Sequence, residues 1–112
     1  MALIIWHNPR CSKSRQTLAL IEAQAPTVRL YLTDAPSEDE LRAAATALGV
    51  APINMMRTGE PEFKAESLSQ DSSEDTLFAA MARMPKLIER PIVFAGEKAV
   101  IGRPPEGVLS LL

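Results

Sequence analysis

The sequence predicts an α/β fold: a mixed four-stranded sheet with helices on both faces. Three observations predict it. An apolar run at residues 2–6 and a β-rich, alternating run at Val28–Leu32 flank a stretch of helical periodicity. Two strands joined by a helix in one sheet make a parallel, right-handed crossover. Near the other end, Pro91-Ile92-Val93-Phe94 and Ala99-Val100-Ile101-Gly102 flank the turn Ala95-Gly96-Glu97-Lys98 and read as an antiparallel hairpin on the same sheet. The residues between the two halves carry helix signals.

Taken in order, residues 2–6 form a continuous apolar run ending at His7-Asn8-Pro9, which suits a buried central strand followed by a loop. A helix follows from Cys11, with Leu18, Leu20, Ile21 and Ala25 as its apolar face and Pro26 as its stop. Val28–Leu32 is the second strand. Ser37 with Glu40 three residues on is a capping box, and the acidic residues Glu38, Asp39 and Glu40 suit the positive end of a helix that runs to Leu48 and stops at Gly49. Residues 51–57 read as a short helix with Pro52 near its start, and residues 58–73 as a polar loop. Residues 74–84 are a further helix with Leu77, Phe78, Ala80, Met81 and Met84 inward. Asp71-Ser72-Ser73-Glu74-Asp75 is the loop and cap leading into it. After the hairpin, Pro104 or Pro105 opens a last helix that turns Val108, Leu109, Leu111 and Leu112 inward.

A chain of 112 residues, 46 % of them hydrophobic, suits one domain spanning 1–112. The net charge of −2 does not suit a general nucleic-acid binder. The opening apolar run is too short for a signal-peptide core or a membrane span, so the expectation is a soluble, cytoplasmic monomer with no nucleic-acid or membrane partner. The single cysteine excludes an internal disulfide. No cluster calls for a metal: Glu38–Glu40 serve the helix start, and Met55, Met56, Met81 and Met84 suit core or pocket wall.

The chemistry concentrates in HNPRCSKSR, residues 7–15, which holds the only cysteine and the only histidine of the chain. A thiol at its reference pKa is about 3 % thiolate at pH 7, and lowering that pKa by two units raises the share to roughly three quarters. Cys11 stands where a helix begins, so unpaired backbone N–H groups point towards its sulfur. Arg10, Lys13 and Arg15 supply positive potential, and Ser12 and Ser14 can donate hydrogen bonds. A loop leaving a central parallel strand also opens at the sheet edge where α/β folds place ligands. The neighbours are too polar for an inert buried cysteine. His7 could be a base, a thiolate partner or a residue that closes the strand by hydrogen bonds.

HNPRCSKSR after a first strand resembles the active-site loop of the glutaredoxin-coupled arsenate reductase family. LYLTDAPSEDEL, MMRTGEPEF and ERPIVFAGEKAVIGRPPE agree with that family in order and spacing, over nearly the whole chain. The resemblance implies a thioredoxin/glutaredoxin-like fold with a helical insertion between the halves of the sheet. It implies Cys11 as nucleophile and Arg57, Arg90 and Arg103 as oxyanion-binding arginines. His7, Ser14 and Arg15 are then supporting residues, and Pro91 matches the cis-proline that faces the active thiol in such folds. It further implies arsenate or a related oxyanion as substrate, no bound cofactor, glutathione as co-substrate and glutaredoxin as partner. Position 14 is serine, so no resolving thiol lies one helical turn from Cys11, and an outside thiol must finish the cycle. Two other functions use parts of this pattern: a glutathione-dependent thiol oxidoreductase with another substrate, and a non-enzymatic regulator that binds RNA polymerase. The missing Cys-x-x-Cys pair weakens the regulator.

Overall fold

The crossover predicted for the first half is present. In the computed structural model, which describes residues 2–112, strand β1 (Leu3–Trp6) leads into helix α1 (Ser12–Ile21) and returns as strand β2 (Thr27–Arg29). β2 lies parallel to β1, with Ile4, Ile5 and Trp6 opposite Thr27, Val28 and Arg29. Strand β3 (Ile92–Ala95) pairs antiparallel with the other side of β1, and β4 (Lys98–Ile101) antiparallel with β3. The result is the expected mixed four-stranded sheet, in the order β2-β1-β3-β4. The chain divides into two units: Met1–Asp34 with Arg90–Leu112, which holds the sheet, and Ala35–Glu89, which holds helices α2 (Glu38–Leu48), α3 (Pro61–Ala65) and α4 (Glu74–Arg83).

In the sheet unit, Leu3, Ile5, Val93 and Ala95 point to one face and meet Ile21 of α1 and Val108. Strand alternation sends Ile4, Trp6 and Phe94 to the other. There the rings of Trp6 and Phe94 lie 4.8 Å apart, and the Arg29 guanidinium sits 5.7 Å from the Trp6 ring centre. Ile4 is 42 % exposed, so the first strand is central but not buried along its whole length. The second strand is shorter than predicted. The Leu30 carbonyl accepts hydrogen bonds from the amides of Thr33 and Asp34, which turns the chain out of the sheet and leaves Leu30 and Leu32 exposed.

Helix α1 buries Ser14, Thr17 and Ile21. Leu18 is half-buried, and Leu20 and Ala25 face solvent, contrary to the apolar face read from sequence. Positions 14, 17 and 21 share one helical stripe, which two polar residues disguise. A 3-10 turn at Glu22–Gln24 extends the helix, and Ala25, left-handed at φ 49°, ends it. The last element, Pro105–Leu111, is a 3-10 helix. With three residues per turn, Pro105 and Val108 are buried and Leu111 half-buried on one side. Leu109 and Leu112, expected inward, are 44 % and 58 % exposed. The hairpin turns at Gly96, whose φ of 60° suits glycine, and its return strand begins one residue earlier than expected.

In the helical unit the capping box closes. The Ser37 amide donates to Glu40 Oε1 at 3.0 Å, and the Glu40 amide to Ser37 Oγ at 3.1 Å. Gly49 ends α2 in the left-handed region, at φ 71°. Helices α2 and α4 pack on each other, and Leu41 and Ala44 of α2 and Leu77, Phe78 and Met81 of α4 are buried. Ser73 caps α4, accepting from the Thr76 amide at 3.2 Å. Residues 51–57 hold a 3-10 turn, Pro52–Met55, and the loop expected at 58–73 contains the five-residue α3. Met84, expected inward, is half-buried at the end of α4. Met56 and Ile88 form an isolated antiparallel bridge. Among the described residues no helix is long and apolar enough to cross a membrane, and no group of three His, Cys, Asp or Glu side chains could hold a metal ion.

Candidate active site

The loop after β1 is held by its own polar groups. The His7 amide donates to the Arg29 carbonyl at 2.8 Å, extending the β1–β2 pairing by one residue. The Asn8 side chain accepts from the Arg10 amide at 3.0 Å, and the Cys11 amide donates to the Asn8 carbonyl at 3.0 Å. These bonds turn the chain and deliver Cys11 to the N-cap of α1 with extended backbone angles.

Burial pushes the Cys11 thiol pKa up. It is outweighed by the Ser14 amide, the Arg90 charge, the Lys13 amide and the Arg103 guanidinium, so the pKa falls below the ordinary thiol value. Arg103 Nη1 donates to Cys11 Sγ at 3.9 Å and to the Arg90 carbonyl oxygen at 3.1 Å. Two sequence positions nearly eighty residues or more from the thiol therefore supply the side-chain charge at the sulfur. This corrects the expectation that Arg10, Lys13 and Arg15 do so. Lys13 acts through its backbone N–H. Arg10 is exposed, and Arg15 spans the loop, its Nη1 donating to the Pro9 carbonyl at 2.9 Å.

Ser14 also differs from expectation. Its amide, not its hydroxyl, serves the sulfur. The hydroxyl lies 2.7 Å from His7 Nδ1 and accepts from the Asn8 amide at 3.0 Å. With one Ser14 lone pair taken by Asn8, its O–H is free to point at the imidazole. His7 is buried, and burial together with the Arg15 charge lowers its pKa. A neutral ring accepting from Ser14 fits both facts. Of the three roles open to His7, the hydrogen bonds of its ring to Ser14 and of its amide to the Arg29 carbonyl fit the one that closes the strand.

Pro91, buried, follows a cis peptide bond from Arg90, and a second cis bond joins Arg103 to Pro104. The sheet unit thus brings together Cys11, Ser14, His7, Arg15, Arg90, Pro91 and Arg103. Arg57 belongs to the helical unit. Its amide donates to the Leu87 carbonyl at 2.7 Å, and its guanidinium pairs with Glu60 at 2.6 Å. Two further neighbours lie outside the residues singled out from sequence: Thr17 and Gly102, whose contact links α1 to the segment carrying Arg103. The spacing of Thr17 from Ser14 is the available signal, masked by its polarity.

A family model for the ArsC family matches residues 6–111. The chain belongs to the ArsC family. It is 48 % identical over its full length to the full length of an arsenate reductase of Haemophilus influenzae. It is 36 % identical to an arsenate reductase of Escherichia coli, over 98 % of this chain and 80 % of that one. An arsenate reductase structure from Vibrio cholerae superposes with a TM-score of 0.95 at 50 % identity, covering all of this chain and 98 % of the other. The mixed sheet is therefore the thioredoxin-like fold of this family, as the motifs implied.

Proposed function

We propose that this ArsC-family chain is an arsenate reductase that uses the Cys11 thiolate, with glutathione and glutaredoxin as reductant. The observation that carries the reading is the Arg103 guanidinium on the Cys11 sulfur, with the Arg90 charge beside it, at a helix start. An arsenate dianion repels a thiolate. Guanidinium groups offset that repulsion, since each stays charged and offers paired oxygens a planar fork of donors, and the backbone amides of α1 add to it. Arg57 joins the set through the family motif.

The electrons balance as follows. The Cys11 thiolate attacks As(V); an S–As bond forms and one oxygen, taking two protons, leaves as water. Glutathione displaces a second oxygen as water and forms its own S–As bond. A glutaredoxin thiolate then attacks the glutathione sulfur. That S–As bond breaks, its electron pair stays on arsenic as As(III), and the two sulfurs form a mixed disulfide. Water releases arsenite and restores the Cys11 thiolate. No bound cofactor is required. One copy of the chain holds Cys11, Arg90 and Arg103, which suits a monomer, and reduced thiols suit the cytoplasm.

Arsenate-dependent oxidation of NADPH, coupled through glutathione reductase and glutaredoxin, tests this. The expected result is turnover that Cys11→Ser abolishes. Turnover with thioredoxin but not glutaredoxin would replace the reductant. Activity on glutathionylated disulfides without any response to arsenate would replace the substrate.

A further inference from the structure

We infer that Thr17 and Gly102 are positioning residues for Arg103: the Thr17 side chain and the Pro91 ring form a slot that only glycine fits, and this seat holds the guanidinium against the Cys11 sulfur. The inference deepens the proposed function and rests on it for the arsenate readout alone.

Thr17 is a completely buried polar residue on α1. Its hydroxyl lies 2.8 Å from the Lys13 carbonyl oxygen and 3.5 Å from that of Gly102. The first contact stays within the helix. The second, long one faces a residue eighty-five positions away. Gly102 is attached on its other side as well, its amide donating to the Pro91 carbonyl at 2.9 Å. A Cβ built on Gly102 would lie 2.6 Å from Thr17 Oγ1, 2.9 Å from Pro91 Cγ and 3.1 Å from Thr17 Cγ2. The backbone of Gly102 is not left-handed, so the requirement for glycine is one of space. Both walls are part of the site's frame: one belongs to the helix whose Lys13 and Ser14 amides serve the sulfur, the other follows Arg90.

Arg103 is the next residue. Its contact with Cys11, at 3.9 Å, is already long for a sulfur acceptor, so a shift of a few tenths of an ångström at Gly102 removes it. The same shift loosens the bond to the Arg90 carbonyl, and the guanidinium then loses both of its anchors. Thr17 and Gly102 touch neither sulfur nor oxyanion; they act through Arg103.

The test compares the full-length parent with Gly102→Ala, Thr17→Val and Thr17→Ser, each checked for folding by near-ultraviolet circular dichroism. Two quantities are read: the Cys11 pKa, from thiolate absorbance, and the arsenate dissociation constant, from the change in that absorbance. Gly102→Ala is expected to raise the pKa and to weaken arsenate binding about tenfold, the scale of one lost charge-assisted contact. Thr17→Val moves both in the same direction by less. Thr17→Ser, which keeps the hydroxyl, retains parental values. In an Arg103→Ala background none of the three changes either quantity further. Parental values in folded Gly102→Ala and Thr17→Val overturn the inference, as do equal losses with and without Arg103. Should Gly102→Ala not fold, the Thr17 pair decides. Should the parent itself bind no arsenate, the substrate assignment fails while the pKa comparison still decides the positioning role.

Discussion

At Cys11, opposing effects are resolved by groups of different origin. Desolvation favours the thiol; amides of α1 and two distant arginines favour the thiolate and prevail. Replacing Arg103 by Ala should raise the Cys11 pKa and slow its alkylation by iodoacetamide near neutral pH, measured as rate against pH. The same shift links to stability. Because the folded pKa is the lower one, the unfolded chain holds the extra proton between the two values. Stability should rise as pH climbs from the folded value to the ordinary thiol value of about 8.5, and be lost as pH falls back through the folded value. Denaturant midpoints measured across that window should lose this slope in Cys11→Ser. The lowered pKa of Cys11 is legible in the sequence, since a thiol at a helix start, among polar and basic residues, is in surroundings that favour its ionised form. Its charge partners are not, because proximity along the chain misleads. Arg10 and Arg15 are neighbours in sequence, but Arg10 is exposed and Arg15 is bonded to the Pro9 carbonyl. Arg90 and Arg103 are found only through family motifs, because no local pattern reports that the segments before β3 and after β4 lie beside Cys11.

Among the elements, those with paired start and stop signals stand where the sequence places them. Helix α2, with its capping box and its left-handed Gly49, is one example. Ser37→Ala should cost about 1 kcal/mol of stability, the worth of such a cap, and leave the Cys11 pKa unchanged, read by denaturation and by thiolate absorbance on one sample. Where the expectation fails, the competing physics is visible. Leucine-rich residues 108–112 suggest an amphipathic α-helix, but a 3-10 period turns Leu109 outward. The β-rich character of Val28–Leu32 is real, yet the turn closed on the Leu30 carbonyl ends the strand after Arg29. Sequence patterning reports which residues are apolar, not which backbone carbonyl a later turn will claim.

For the whole molecule, the proposed function has a thermodynamic consequence: a site that binds a dianion only when folded shares that binding energy with the fold. Arsenate at a hundred times its dissociation constant should add about 2.7 kcal/mol to stability, seen as a rise in melting temperature over a chloride control. Arg103→Ala should reduce that rise. Sulfate should substitute for arsenate in this measurement, since it needs the oxyanion site but no reduction.

Ser14 occupies the place where a second thiol could have stood, and its hydroxyl is engaged with His7 and Asn8. Peroxide reaching the ionised Cys11 would form a sulfenic acid with no neighbouring thiol in these 112 residues to condense with. A thiol arriving from solution can then intercept that sulfenic acid before irreversible sulfinic damage. The glutathione proposed to carry the catalytic cycle would then also set the working lifetime of the protein under oxidative stress.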